Sequence, residues 1–242
     1  MATTSNGCLG VPILWRDGPV LVVNKPARLP TQAPRGIDSL EARIRDYLAQ
    51  CRGPDPRGNA PYLGIPHRLD RCVSGAVIFA TDRKAARKLS RQFENRHIVK
   101  IYHALVAGHV SPAAGTWQDF LRKVTDQPHS EVVPENHPEA ALAVLHYEVL
   151  RQLAQESLLS IRLETGRMHQ IRAQAAARGF PVRGDLDYGS TQSFGQSSGD
   201  PRDRTIALHA CQIGFRHPVS HEDIRVTAPF PPEWAGTLAA ME

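Results

Sequence analysis

The chain has 242 residues, of which 41% are hydrophobic and 22% charged, and its formal net charge is +5 at pH 7. This length supports a sizeable core, and this composition excludes a disordered or collagen-like chain. The modest basic excess is compatible with a polyanionic partner but does not require one. The sequence shows no signal peptide and no apolar run of about 20 residues, and its four cysteines are scattered. We therefore expect a cytoplasmic protein with reduced thiols and no membrane partner.

The first predicted element is a β-hairpin. Two apolar segments, Val11–Trp15 and Val20–Val23, flank Asp17-Gly18, a dipeptide typical of hairpin turns. Lys25 precedes a proline that ends the second strand. Residues 1–10 are small and polar and are predicted to be a disordered tail.

The segment His67–Gly75 concentrates charge immediately before an apolar run, 76–80, that predicts a buried strand. It places the carboxylate of Asp70 between Arg68 and Arg71. Nearby positive charge favours the ionised form of a carboxylate, so Asp70 is better suited to be a nucleophile or an ion-pair partner than a general acid. On spacing alone, a surface loop with a local salt bridge is the more common arrangement, since paired charges often serve structure.

A helix is predicted next, with Asp82 as its N-cap and Ala86, Leu89 and Phe93 on its apolar face. Its other face is basic and consists of Arg83, Lys84, Arg87, Lys88 and Arg91. Such a face is either solvated or lies along a phosphate backbone.

The next segments are predicted to be mainly strands. Alternation predicts one over residues 98–108, in which Tyr102 by itself indicates a core tyrosine. Residues 109–140 lack clear periodicity and are predicted to be mostly loop, with a short strand at 116–118. The His and Glu residues of this loop lack the spacing of a zinc motif, so no metal site is predicted. Paired strands are predicted at 143–150 and 158–163.

A second polar segment, Glu164–Arg172, leads into a predicted helix. Met168, Ile171 and Ala175 recur at helical spacing, and Gly179 can serve as the C-cap. Arg172 then projects from the first turns of this helix. Its planar guanidinium can hold either a carboxylate or an RNA phosphate at a fixed orientation.

Several of these segments resemble the RluA family of RNA pseudouridine synthases. Residues 67–75 match the pattern H-R-L-D-x-x-T-S-G with valine in place of threonine, and residues 100–108 match K-x-Y-x-A-x-V-x-G. Residues 165–172 match T-G-R-x-H-Q-I-R, and residues 184–189 match G-D-x-x-Y-G. Lys25-Pro26 is similar to the family's K-P-x-G element, but Arg28 occupies the glycine position.

The resemblance implies an α+β pseudouridine synthase fold, a bent, mostly antiparallel mixed sheet with flanking helices and a central cleft, over residues 11–236. It implies that Asp70 is the catalytic nucleophile, that Tyr102 packs on the target base and that Arg172 pairs with the catalytic aspartate. The expected reaction converts uridine to pseudouridine in structured RNA, either ribosomal or transfer RNA, by a monomer without cofactor or metal. The residues expected to contact RNA are Arg68, Arg71, Lys25, Arg167, His169, Lys84 and Lys88.

Two other functions fit the same residues. A carboxylate beside a sugar could serve an RNA N-glycosidase, which releases free base, and an RNA chaperone with this fold would not need Asp70. Within the synthase hypothesis, Asp70 could attack the sugar, assist abstraction of an adjacent proton or attack the uracil ring, and the sequence does not choose among these routes.

Overall fold

The computed structural model describes residues 10–52, 60–196 and 199–239. The strands are β1 (Ile13–Asp17), β2 (Val20–Lys25), β3 (Ser74–Ala80), β4 (Val99–Ala107), β5 (Ala114–Lys123), β6 (Ser130–Val133), β7 (Ala141–Gln152), β8 (Glu156–Leu163), β9 (Leu208–Arg216) and β10 (Asp223–Thr227). The helices are α1 (Leu40–Arg52), α2 (Arg83–Glu94), α3 (Gln170–Ala177) and α4 (Ala235–Ala239), with 3-10 turns at Leu186–Tyr188, Pro201–Asp203 and Pro232–Trp234. No helix in the described ranges is long and apolar enough to cross a membrane.

The chain forms two compact units. The first comprises Met1–Val99 and Cys211–Pro229, and the second comprises Lys100–Ala210 and Phe230–Glu242. The predicted disordered tail falls largely on residues 1–9, which lie outside the described residues. A single catalytic domain over residues 11–236 stays a prediction.

In the first unit, the predicted hairpin is confirmed. β1 and β2 pair antiparallel around a turn in which Gly18 has a φ of +46°, a left-handed conformation that favours glycine. β2 pairs antiparallel with β3, from Val20 opposite Ala80 to Lys25 opposite Gly75. All seven residues of β3 are buried, as its uninterrupted apolar run predicted.

Helix α2 covers one face of these strands. Asp82 caps it as predicted, because its Oδ1 accepts a hydrogen bond from the backbone N–H of Ala85 at 2.8 Å. Leu89 is fully buried, in one cluster with Val22 and Ile78 of the strands. The opposite face of α2 is exposed, and this leaves its five predicted cations accessible.

In the second unit, β4, β8, β7, β5 and β6 lie side by side with antiparallel pairing. The predicted β4 and the predicted pairing of β7 with β8 are confirmed. Helix α3 begins at Gln170, within the motif as predicted. Its C-cap is Arg178, and Gly179 follows with a φ of +79°, one residue beyond its predicted role.

Within residues 109–140, the predicted short strand at 116–118 is confirmed but is part of a longer strand, and a second strand, β6, was not predicted. A ten-residue strand, β5, pairs with β7 over eight positions and with β6 over four. The alternation along β5 is hidden because Asp119 lies between the buried Trp117 and Leu121. Asp119 is accommodated by Arg178, whose Nη1 lies 2.7 Å from Asp119 Oδ2. An ion pair to a distant helix therefore replaces an apolar contact at that position of the strand.

Candidate active site

His67 fixes the start of the signature loop in the first unit. Its Nε2 accepts a hydrogen bond from the backbone N–H of Ile78 at 3.0 Å, and its ring stacks on Phe93 with centroids 4.7 Å apart. Because Nε2 is the acceptor in this bond, a neutral ring carries its proton on Nδ1. His67 therefore ties the loop to both β3 and α2, a structural role that its place at the head of the motif did not reveal.

The backbone on both sides of Asp70 is held by a second loop, residues 25–31. The hydroxyl of Thr31 donates to the carbonyl of Leu69 at 2.8 Å and accepts from the N–H of Leu69 at 3.1 Å. The N–H of Arg28 donates to the carbonyl of Arg71 at 2.7 Å, and Arg71 Nε donates to the carbonyl of Arg28 at 2.9 Å. The Asp70 side chain is half-buried. Its carboxylate thus stands on a backbone fixed at the preceding and the following residue, as a preorganised reactive group requires.

Lys25 lies beneath this loop and is completely buried. Its ammonium donates to the carbonyls of Leu29, Pro26 and Arg71 at 2.7, 2.9 and 3.4 Å. Burial lowers the pKa of Lys25 to about 7, whereas the acidic groups of Cys72 and Asp70 act in the opposite direction. The structure does not support the predicted RNA contact by Lys25, because no part of its side chain is exposed. Its ammonium instead holds together the two loops around Asp70.

The buried ammonium of Lys25 should make stability depend on pH. Because the folded-state pKa of about 7 lies below the usual lysine pKa of 10.5, folding releases a proton between these values. The free energy of unfolding of the wild type should therefore rise with pH, relative to Lys25→Met, by up to about 1.4 kcal/mol per pH unit. Urea unfolding of both proteins from pH 7 to 9.5 measures this difference. The control is Lys84→Met, at an exposed position, whose free energy of unfolding should differ from that of the wild type by an amount that does not change with pH. A difference that is also independent of pH for Lys25→Met would show that Lys25 keeps an ordinary pKa.

Arg28 has a φ of +71°, a left-handed conformation that favours glycine. The departure from the K-P-x-G pattern thus places a non-glycine residue where glycine is the unstrained choice. Arg28→Gly is expected to raise the free energy of unfolding by about 0.5–1 kcal/mol, because relief of the strain exceeds the entropy that glycine loses on folding. Thermal unfolding tests this against Arg28→Ala, which keeps the strain and should show no gain. An equal gain in both variants would assign the effect to the removed side chain.

In the second unit, Arg172 forms a buried, bidentate ion pair with Asp185. Arg172 Nε and Nη2 lie 2.6 and 2.7 Å from the two carboxylate oxygens of Asp185, and the side chains are 4% and 1% exposed. Asp187 lies 3.4 Å away, and the guanidinium carbon is 4.8 Å from the ring centroid of Tyr188. Asp185 was not predicted as a site residue, although it belongs to the G-D-x-x-Y-G match. The pairing of Arg172 with Asp70 stays a prediction.

Tyr188 connects α3 to the β5–β6 hairpin. Its hydroxyl accepts from the N–H of Ser130 at 2.8 Å and donates to the carbonyl of Ser130 at 3.1 Å, and its ring stacks on His129 at 4.3 Å. His169, at the N-cap of α3, places Nδ1 3.1 Å from the same hydroxyl. The ring of His169 is half-buried and already bonds to Tyr188. Its contact with RNA stays a prediction.

Within the matched segment 165–172, Gln170 fixes the turn that starts the helix. Its Oε1 accepts from the hydroxyl of Thr165 at 2.8 Å and from the N–H of Arg167 at 3.0 Å. Arg167 is exposed, and its Nε donates to the carbonyl of Leu142 at 2.9 Å. Tyr102 is half-buried on β4, opposite Ile161 of β8. The roles of Arg167 and Tyr102 stay predictions.

The remaining predicted RNA contacts lie in the first unit. Arg68 and Lys84 are exposed, and Arg71 is half-buried with its Nε bound to Arg28. Lys88 is exposed and donates to the carbonyl of Pro218 at 2.6 Å. In the part of the chain that the structure describes, no group of three or more His, Cys, Asp or Glu side chains could hold a metal ion.

The family model described as RNA pseudouridylate synthase matches residues 19–177, a span that contains Asp70, Tyr102 and Arg172. The chain belongs to the RNA pseudouridylate synthase family. It is 32% identical over 238 residues to an uncharacterized RNA pseudouridine synthase of Mycobacterium bovis, with 96% of this chain and 73% of that protein covered. It is 30% identical over 239 residues to the ribosomal large subunit pseudouridine synthase D of Pasteurella multocida, with 95% and 70% covered.

Solved structures of synthases from this family have the same fold. The human protein named RNA Pseudouridylate Synthase Domain Containing 1 superposes with a TM-score of 0.69 at 26% identity, with 96% of this chain and 87% of that chain covered. The human RNA pseudouridylate synthase domain containing 4 superposes with a TM-score of 0.74 at 22% identity, with 95% and 92% covered. The predicted α+β pseudouridine synthase fold and the predicted enzyme class, an RNA pseudouridine synthase and hence an isomerase, are confirmed.

Proposed function

We propose that this synthase uses Asp70 as the nucleophile to convert uridines of ribosomal or transfer RNA to pseudouridine in the cytoplasm. The observation that carries the proposal is that hydrogen bonds fix the backbone on both sides of Asp70. Thr31 bonds to the preceding residue, Leu69, and Arg28 bonds to the following residue, Arg71. Two residues of the second unit complete the proposed catalytic set. Tyr102 provides the ring that packs on the target base, and Arg172 pairs with the catalytic aspartate.

The reaction requires few protein groups. The glycosidic C–N bond breaks, the uracil turns, and a ring carbon bonds to the same sugar carbon, so the product has the mass of the substrate. An ionised carboxylate can assist by attacking the sugar, by abstracting an adjacent proton or by attacking the ring. Water must be kept from the sugar while the base is detached, and a uridine in a stem must be flipped out of its stack.

The names of the relatives indicate which RNA to test first. A relative with 30% identity is named a ribosomal large subunit pseudouridine synthase, which supports ribosomal RNA of the large subunit as the first substrate. Transfer RNA is the second, because phosphate contacts by exposed arginine and lysine side chains carry no sequence preference that would exclude it.

The test is incubation of the purified protein with unmodified transcripts of both RNAs, followed by pseudouridine mapping and by analysis of released base. Pseudouridine at defined positions, without release of uracil, is the expected result. Release of uracil would identify an N-glycosidase, and unmodified RNA that is nevertheless bound or refolded would identify a chaperone. Mapping of total RNA from cells with and without the protein then identifies the natural site.

A further inference from the structure

A basic pocket of about 520 Å³ lies on the first unit, between the C-terminal half of α2 and the strands β9 and β10. Its lining includes four cationic side chains, Lys88, Arg91, Arg216 and Arg225, and all four are exposed. The imidazoles of His97 and His221 lie beside them. The cations of α2 were predicted from the sequence, but Arg216 and Arg225 were not. These two residues come together in the pocket because β9 pairs with β10.

The cations of this pocket are not neutralised by the protein. In the described ranges, with the gaps at 53–59 and 197–198, no carboxylate forms an ion pair with Arg91, Arg216 or Arg225. Asp223 is an acidic residue in the lining, and it stands opposite Arg216 across the strand pair without bonding to its guanidinium. Concentrated positive charge without ion pairs to carboxylates favours compensation by a mobile or bound anion.

The walls of the pocket are firmly joined. Gln92 of α2 binds both backbone groups of Arg216: its Nε2 donates to the carbonyl at 2.8 Å, and its Oε1 accepts from the N–H at 2.9 Å. Lys88 Nζ donates to the carbonyl of Pro218 at 2.6 Å. Arg216 Nε donates to the carbonyl of His221 at 2.9 Å, which orients the guanidinium. Lys88 and Arg216 are therefore positioned before any ligand arrives, which reduces the entropy lost on binding.

We propose that this pocket, whose lining includes no residue of the Asp70 loop, binds the phosphodiester backbone of the RNA substrate. This inference rests on the proposed function and adds a second contact surface to it. Guanidinium groups suit phosphate oxygens because they bind them in bidentate fashion. Four exposed cations suit phosphate, and the phenyl ring of Phe215 in the lining is only 3% exposed and offers a base no stacking surface. The exposed Arg83, Lys84 and Arg87 extend the cationic surface along α2, as a path for several consecutive phosphates would require.

The test is the salt dependence of binding to a fluorescein-labelled RNA hairpin, measured for the full-length wild type and for the double variant Arg91→Gln/Arg225→Gln. These two side chains are exposed and make no hydrogen bond with the described residues, so the fold should be retained, and thermal melts verify this. Two lost phosphate contacts should flatten the slope of log affinity against log salt by about 1.4–1.8. The matched control is Lys123→Gln/Arg151→Gln, which removes the same charge from exposed positions of the second unit and should leave the slope unchanged.

Three results would overturn the proposal. The first is an unchanged slope for Arg91→Gln/Arg225→Gln, and the second is an equal flattening in the control, which would show an effect of net charge alone. The third is a variant Arg91→Gln/Arg225→Gln that binds RNA as the wild type does but no longer binds polyglutamate, a model acidic polypeptide. This result would assign the pocket to an acidic polypeptide. Failure of the proposed function would look different from all three results. The wild type would bind the RNA with the expected salt dependence but would form no pseudouridine in it.

Discussion

Asp70→Asn is expected to reduce the rate of pseudouridine formation by about 10⁴-fold or more, the range seen when a nucleophile is removed from an enzyme. The amide has nearly the same volume as the carboxylate, and the bonds that hold the loop are made by Leu69 and Arg71, so the fold should be retained. Sequence-independent affinity for RNA should also be retained, because it comes from cations elsewhere on the surface. Single-turnover rates on one defined RNA, measured with affinity and thermal melts, give the three quantities together.

The control for this prediction is Asp46→Asn, which removes a carboxylate from an exposed position of α1 in the same unit and should leave the rate unchanged. Turnover of Asp70→Asn above a few per cent of the wild-type rate would exclude Asp70 as the nucleophile. A variant that loses its fold in the melt would assign Asp70 a structural role that its half-buried position does not predict.

Asp185→Asn is expected to lower the free energy of unfolding by about 3–5 kcal/mol, because it leaves the guanidinium of Arg172 buried without its bidentate partner. The control is Asp187→Asn. Its carboxylate also bonds to Arg172, but at 3.4 Å and with a side chain that is 60% exposed. Solvent screens this second contact, so its loss should cost about 1 kcal/mol or less.

Urea unfolding at pH 7, with the slope of free energy against urea compared among wild type and both variants, measures these costs. Equal and small losses in the two variants would show that Asp187 or water can replace Asp185 as the partner of Arg172. A large loss for Asp187→Asn alone would reverse the assignment of the main partner.

The elements that could be predicted from the sequence are those whose patterns are local. The Asp17-Gly18 turn, the buried run of β3 and the Asp82 cap of α2 each depend on residues close in sequence, and all three are present. The full length of β5 was not predicted because the residue that interrupts its alternation, Asp119, is compensated by Arg178, 59 positions away. Local patterns do not contain such partners.

The same distinction applies to the candidate site. The motif identified Asp70 and Arg172 as important residues, but not what surrounds them. Lys25 was predicted to contact RNA as part of the family resemblance, whereas its ammonium is buried among carbonyls that include that of Arg71, 46 residues later. Asp185 was not recognised as a partner of Arg172, because the two residues are 13 positions apart, separated by the rest of α3 and the turn that follows it.

The position of Lys25 has a consequence for the charge of the folded protein. Because burial lowers the pKa of Lys25 to about 7, the side chain gains and loses its proton in the neutral pH range instead of staying fully charged. A preparation in this pH range is thus a mixture of two charge states that share one backbone and differ by one internal proton beneath Asp70. Any anion that approaches the Asp70 loop raises the pKa of Lys25, so it shifts the mixture toward the charged state and draws a proton from the buffer. The proton occupancy of Lys25 is therefore a measure of the electrostatic potential at this loop.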